Sequence, residues 1–486
     1  VPLRAADDAF PPELARAVRD FLARYAALAR TTDPGERAAA FDLLERVEAI
    51  PTAALTGEAL VDRELLLARL EVIFARGTFA VAGRPSQLRR GAPPAPGSPE
   101  AHDLERRIDR LAGSVPDLLP DEVAAARSDL AAERTLAPFL AKPLERLEAA
   151  LAASRGGPSR ETRDYLRLLR VQSSYAGSLE DLVALAEDEV RRTGEAMERI
   201  AADCGAPSTA ALLEQMKEEG AHEDTIAVAR EEVARSAAFA RDRGLVTVPA
   251  AIVASLVVES GPASSRTPFG HYIPVGWQDL LGHYVVTETS GDDAGSRSRR
   301  REQNRLWLRG IAAHEGIPGH HLHFALAARS KDRLLTLDYQ GATTEGWGLF
   351  VEGMLARAGY FDSPREARLT PLRGRRWRAL RVILDAGLQT GKLTREQAIA
   401  RLERDAFFER GIATEEVDRY RARAGYYAGY LLGARRFEAL ERRALERGGD
   451  GAARALRDRI LAVGPAAPLR AVLELARDER VLPPRE

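Results

Sequence analysis

Ten residues hold half of the histidine in this chain: of its eight histidines, four lie in the stretch 314–323, HEGIPGHHLH. A glutamate directly after the first of them, His314-Glu315, is how zinc hydrolases set a general base beside a metal ligand. In the plain H-E-x-x-H motif two histidines, i and i+4, share one helix face. Here the fifth place is Pro318, so the second ligand must come from further along.

On a regular helix, residues 314 and 320 point roughly 120° apart and lie about 9 Å apart along the axis. Residues 314 and 321 point within about 20° of each other but are separated by roughly 10.5 Å of rise. Neither pair closes on one ion with metal–nitrogen bonds of about 2.0–2.1 Å. Pro318 resolves the conflict. Its ring clashes with the carbonyl four residues back and it donates no hydrogen bond, so the helix bulges or breaks. Gly319 then has the freedom to re-aim the chain. Pro-Gly therefore reads as a two-residue insertion that brings His320 or His321 back toward His314. His323 reads as a surface histidine or a support behind the ligands.

A third ligand from a second helix leaves a fourth position open for water. Glu345, in the run 341–354, GATTEGWGLFVEGM, is the candidate; Thr343 or Thr344 as N-cap would put it in the first turn of a helix. Glu352 follows seven residues later on nearly the same face and suits a support that orients a ligand histidine through its other nitrogen. Further on, Arg373, Arg375 and Arg376 read as solvent-facing. Arg378 and Arg381 share a helix face, and Arg381 stands i,i+4 from Asp385. Arg381 is thus either a grip for a substrate carboxylate or half of an internal ion pair with Asp385. Four tyrosines fall in the eleven residues 420–430, among small residues. This suggests a close-packed helix showing phenols to a cavity, where Tyr430, or else Tyr427 or Tyr426, steadies a tetrahedral oxyanion.

Composition bounds what else the chain can be. Its 486 residues suffice for one large or two ordinary domains. With 71 Lys+Arg against 72 Asp+Glu, no global field draws it to nucleic acid or an anionic membrane. The single cysteine, Cys204, excludes an intrachain disulfide and a cysteine-based metal site. No apolar run approaches the roughly 20 residues of a membrane span. The chain begins at Val1, so either an initiator Met or an export signal was removed, and the compartment stays open.

The elements that must position the site divide at about residue 244. The first part, 1–243, reads as a helical scaffold, with amphipathic runs over roughly 10–25, 58–77, 101–113, 121–153, 159–172, 178–204 and 222–243 and a Pro/Gly-rich loop at 91–99. Region 244–486 carries the metal-binding residues and is expected to form one continuous structural unit with the scaffold. Its opening stretches 245–249 and 252–258 are β-branched runs that read as strand or turn elements, and 269–277 with 283–287 read as a small sheet or extended edge close to the cleft. The basic run 296–302, SRSRRRE, enters the helix that bears the His cluster. The fold class is mainly α, a large multi-helix fold with a small β-sheet near the cleft.

The motifs His314 to His321, Thr344 to Glu352, Arg381 to Gly387 and Arg419-Tyr420 through Tyr430 resemble those of the domain-of-unknown-function 885 (DUF885) family, bacterial proteins regarded as metallopeptidases. The resemblance is specific over about 300–433 and architectural before that. It implies a mostly helical fold similar to the gluzincin peptidases of the thimet oligopeptidase, angiotensin-converting enzyme and carboxypeptidase Taq kind. The family pattern H-E-x-x-P-G-H places the second ligand at His320 rather than His321. Two positions depart from the pattern: Gln389 stands where a His is frequent, and Ala424-Gly425-Tyr426 stands for Pro-Gly-Gln. Both are expected on the substrate side of the site.

The expected function is zinc-dependent hydrolysis of amide bonds, with one Zn²⁺ on His314, His320 and Glu345 and short peptides as substrates. Glu315 takes a proton from the attacking water and passes it to the leaving amine. The rivals are a metal-dependent amidase or tailoring enzyme on a non-peptide small molecule, and a non-catalytic helical binding protein.

Overall fold

A computed structural model describes residues 141–153, 162–220, 224–261, 269–274, 281–287, 294–329, 341–467 and 469–477, with a few positions before 141. The expected helical runs at 10–25, 58–77 and 101–113, the first part of 121–153, and the loop at 91–99 lie largely or wholly outside the described residues. Helices α1 (Ala141–Ala153), α2 (Thr162–Ser173), α3 (Leu179–Asp203), α4 (Thr209–Gly220) and α5 (Thr225–Asp242) come first. Strands β1 (Leu256–Gly261), β2 (Gly270–Ile273) and β3 (Gly282–Thr287) follow. The remainder is helical: α6 (Ala294–Glu302), α7 (Arg305–Glu315), α8 (His320–Arg329), α9 (Gly341–Arg357), α10 (Leu369–Gln389), α11 (Arg395–Ala406), α12 (Arg410–Ala422), α13 (Ala428–Val463) and α14 (Leu469–Leu475). The mainly helical class with one small sheet is as the sequence implied.

The helix starts are written locally. Ser178 accepts a hydrogen bond from the Asp181 amide, Asp224 from those of Ile226 and Ala227, and Asn304 from that of Trp307. Each satisfies an amide that the first turn leaves without a partner. Thr394 and Gln397 form a reciprocal capping box before α11. The expected cap at Thr343 or Thr344 is different. Helix α9 begins earlier, at Gly341, and the two hydroxyls instead donate to the carbonyls of Ala467 and Pro465, tying α9 to the turn after α13.

One apolar core joins both parts of the described chain, running from Leu43 and Tyr165 through Trp347 and Phe350 to Ala476. Burying each large apolar side chain stabilises the fold by roughly 1.5–3 kcal/mol. Within it α9 packs on α13, α10 on α3 and α7 on α5. The α9–α13 contact is unusually close because it is lined with small residues. A Cβ added at Gly433 would lie 2.0 Å from the Ala342 carbonyl oxygen, and one at Gly346 only 2.6 Å from the Gly433 Cα. Gly433→Val is therefore expected to push the two helices apart and cost about 3 kcal/mol or more, read as a lower midpoint in denaturant unfolding.

The sheet has the order β1-β3-β2, with β3 parallel to β1 and antiparallel to β2. Register sets Tyr284 of β3 between Val258 and Tyr272, so these three share one face. Strand β3 packs against α8, which brings that face toward the His-bearing segment. Within the run 252–258, read as strand or turn, residues 252–253 close a single helical turn and the strand begins at Leu256. The basic run 296–302 lies in its own helix, α6, separated from α7 by Gln303 and Asn304.

Candidate metal centre

Helix α7 ends at Glu315, and α8 starts at His320. Between them the chain turns through Gly316-Ile317-Pro318-Gly319, so Pro318 breaks the helix as its chemistry requires. Gly319 is needed for a close approach: a Cβ there would sit 1.9 Å from the His314 carbonyl oxygen. Two distant side chains hold the turn. Trp347 Nε1 donates to the Pro318 carbonyl at 2.9 Å, and Ser236 Oγ donates to that of Ile317 at 2.6 Å. Neither anchor has a signal in the motif itself; Trp347 is visible only as a large residue beside Glu345.

The turn folds α8 back so that His314 and His320 meet edge to face, with ring centroids 4.6 Å apart. From the neighbouring helix, Glu345 Oε2 comes within 3.5 Å of His314 Nε2 and 3.2 Å of His320 Nε2. Four donors around a tetrahedral ion at bonds of about 2.0–2.1 Å stand about 3.3 Å apart, so these spacings are edges of such a tetrahedron. Donor atoms of His314, Glu315 and His320 also lie within 4.8 Å of one another. Glu315 is the more distant carboxylate, 3.9 Å from His320 Nε2 against 3.2 Å for Glu345. The spacing of the two imidazoles and the Glu345 carboxylate therefore suits a metal ion, with the Glu315 carboxylate close by.

The support behind these groups is ordered. His314 Nδ1 donates to Glu352 Oε1 at 2.8 Å, while Nε2 faces Glu345 Oε2. Arg378 donates to the same Glu352 oxygen at 3.2 Å. Glu345 and Glu352, seven residues apart on α9, thus bracket one imidazole. Gly348, between them, lets the ring lie flat on the helix, since a Cβ there would meet His314 Cε1 at 2.4 Å.

Burial would raise the pKa of Glu345, but its hydrogen bonds with His314 and His320 hold it well below the usual carboxylate range. Glu352 is likewise lowered against its burial, by the Arg378 charge and the His314 hydrogen bond. Burial would lower the pKa of His314, yet hydrogen bonds to Glu345 and Glu352 raise it overall. Glu315 is pushed up to about 7 by burial, an effect partly offset by His320. Two ionised carboxylates around paired imidazoles form a buried site that favours one positive charge, a proton or a cation.

His321 points elsewhere. Its Nε2 donates to the Ile252 carbonyl at 2.9 Å with Ser255 Oγ at 3.2 Å, so Nδ1 accepts from the Tyr272 hydroxyl at 3.0 Å. Both ring nitrogens are engaged away from His314, and of the two adjacent histidines it is His320 that faces Glu345. His323, expected at the surface or in support, is fully buried against Trp347, with ring centroids 5.6 Å apart. Burial drives its pKa down to about 3.

The arginines of α10 differ from expectation. Arg373 is buried and donates to Glu302, and Arg375 bridges Glu189 and Glu438, with Arg376 also largely covered. Arg381 does not pair with Asp385. Its Nε and Nη2 donate to Glu416 Oε2 at 3.3 and 3.0 Å, under the rings of Trp377, 3.9 Å away, and Tyr430, 4.5 Å away. Asp385 accepts from the Tyr165 hydroxyl and the Gly425 amide instead. An i,i+4 spacing permits a pair but does not compel it when a carboxylate from another helix lies closer.

The Arg381 and Arg419 charges, against its burial, draw Glu416 down to about 2. With the folded pKa below an unfolded value of about 4.3, the pair's contribution is fully present above that value and is lost as pH falls toward 2. Glu416→Gln should cost about 3–5 kcal/mol near neutral pH, because it leaves Arg381 buried without its counter-charge. The variant should also lose less stability than the parent between pH 5 and 2, as read from thermal melts across pH.

The tyrosines divide their duties. Tyr430 is stacked on His314, with ring centroids 6.3 Å apart and planes 16° apart, and burial and the nearby Glu345 raise its pKa. Tyr427 faces Arg419. Tyr426 donates to Glu345 Oε1 at 2.5 Å. Tyr426 was expected on the substrate side, and it instead touches the candidate third ligand. Gln389, expected there too, is buried and donates to the Tyr420 and Arg421 carbonyls.

Comparison with known proteins agrees with the fold. The chain superposes on the structure of a "putative lipoprotein of unknown function" from Shewanella oneidensis with a TM-score of 0.70 at 18% identity, covering 96% of this chain and 97% of that one. It superposes on a "putative lipoprotein" from Colwellia psychrerythraea with a TM-score of 0.68 at 17% identity, covering 96% and 98%. None of the curated proteins compared matches it. No helix among the described residues is long and apolar enough to cross a membrane. The family model for "Bacterial protein of unknown function (DUF885)" matches residues 120–474, which contain every residue of the centre described above, and the chain belongs to that family.

Proposed function

We propose that this chain is a zinc-dependent hydrolase of amide bonds acting on short peptides. The observation that carries the reading is the placement of Glu345 Oε2 at 3.5 and 3.2 Å from two imidazole nitrogens, with Glu315 alongside. His314, His320 and Glu345 would hold a zinc ion, which when bound would supply Lewis-acid polarisation and activate water near neutral pH. Glu315 accepts the proton of the attacking water and returns it to the leaving nitrogen, a task suited to a carboxyl whose pKa burial raises. Glu352, itself held by Arg378, keeps His314 in one tautomer and orientation. Tyr430, stacked on His314, is the group that steadies the developing oxyanion. The likeness to gluzincin peptidases belongs to this reading.

A second reading keeps the ion and changes the substrate to the amide of a small non-peptide molecule. One observation favours it: Arg381, the candidate grip for a peptide carboxylate, is committed to Glu416. Metal analysis of the purified protein, beside turnover of a peptide library with and without chelator, tests both. Zinc at one equivalent and chelator-sensitive peptide cleavage support the first. Zinc without cleavage of any peptide supports the second. A protein that takes up no divalent metal defeats both.

A further inference from the structure

The two oxygens of Glu345 face different partners. Oε2 lies toward His314 and His320, while Oε1 accepts the Tyr426 hydroxyl at 2.5 Å. We infer that Tyr426 is a positioning residue that restricts Glu345 to single-oxygen binding, and so sets both the affinity for the ion and the openness of its fourth position. The inference rests on the zinc reading above.

A phenol bonded to a carboxylate at this distance makes a short, charge-assisted hydrogen bond, among the stronger kinds available to side chains. A carboxylate left to itself can turn and bind an ion through both oxygens, which raises the coordination number and crowds the place meant for water. With Oε1 taken by Tyr426, only Oε2 points inward. The phenol is aimed before any ion arrives. The preceding residue, Gly425, sits in the left-handed region at φ +74°, and its amide donates to Asp385 Oδ2 at 2.8 Å. The Tyr426 ring stands nearly perpendicular to those of Tyr427 and Tyr430, at 86° and 82°. Space for it depends on Gly341 at the start of α9, where a Cβ would lie 2.9 Å from the ring. The Arg423 guanidinium, 4.2 Å from the ring centroid, makes the hydroxyl a stronger donor.

A phenol reserved for the oxyanion would act only in the transition state and leave metal affinity untouched. One that orients a ligand acts on the resting site. Losing such an outer partner typically weakens metal binding by about 10–100-fold.

The test is competition for Zn²⁺ between a chromophoric chelator and the full chain, as parent, Tyr426→Phe and Tyr426→Gln, together with visible spectra of the Co²⁺-loaded proteins. Tyr426→Phe is expected to weaken zinc binding about 10–100-fold. Its Co²⁺ absorption should also be weaker, as the ion moves beyond four donors. Tyr426→Gln, which retains a donor, should recover part of both. Parent-like affinity and spectrum in Tyr426→Phe would overturn the assignment. Should Tyr426→Phe fail to fold, Gly341→Ala, which crowds the ring but keeps its hydroxyl, is expected to weaken binding, and unchanged affinity there overturns it equally. A parent protein that binds no zinc would instead remove the reading on which the inference stands.

Discussion

Glu315→Gln is expected to lower kcat by about 10²–10⁴-fold on any peptide the parent cleaves, with zinc retained at one equivalent. The amide keeps the size and burial of the carboxylate but cannot accept a proton from water. Affinity should survive because Glu315 is not among the closest donors: it lies 3.9 Å from His320 Nε2, whereas Glu345 Oε2 lies at 3.2 Å. In the parent, activity should rise as pH climbs through the pKa of Glu315, since only the ionised form is a base. Burial places that pKa at about 7 before any cation is bound, and a bound cation would draw it lower. Turnover by Glu315→Gln at the parental rate would exclude its role as base.

The second large effect separates two adjacent histidines. His320→Ala should abolish stoichiometric zinc uptake, because it removes one of the two nitrogens facing Glu345. His321→Ala should leave zinc uptake intact and instead lower thermal stability by about 1–3 kcal/mol, since it removes a buried ring that bonds both the Ile252 carbonyl and the Tyr272 hydroxyl. The neighbours differ by about 100° in direction on a helix, so only one can face α9. Zinc lost in His321→Ala and kept in His320→Ala would invert the ligand assignment.

The His-Glu pair, the helix break at Pro318 and the glutamate seven residues before Glu352 were legible because they are local statements. Proline breaks a helix wherever it falls in one, and a seven-residue spacing places two side chains on one face. The helical class was legible for the same reason, as was the small sheet, from β-branched residues in a chain otherwise rich in Ala, Leu and Arg. The tyrosine run 420–430 is not the single helix that its small residues suggested: α12 ends at Ala422 and α13 begins at Ala428, with Tyr426 and Tyr427 in the turn between, and the close packing lies further along, at Gly433 against Ala342.

Partner choice was not legible. Arg381 stands one helical turn from Asp385 and pairs instead with Glu416, thirty-five residues away. Thr343 and Thr344 look like caps and serve as ties to the turn at 465–467. Arg373 and Arg375, in a basic run suited to solvent, are covered because Glu302, Glu189 and Glu438 arrive from other helices to meet them.

Residue type and spacing along the chain thus settled which atoms can bind or transfer, since those are properties of side chains and of the first few bonds around them. Only the packing of the helices decided which atoms face one another: that Arg381 meets Glu416 rather than Asp385, and that Tyr426 holds the Glu345 carboxylate. The reason is geometric. A hydrogen bond is lost over about an ångström of displacement. Positions at that scale follow from close contact between helices distant in sequence, which no local pattern encodes.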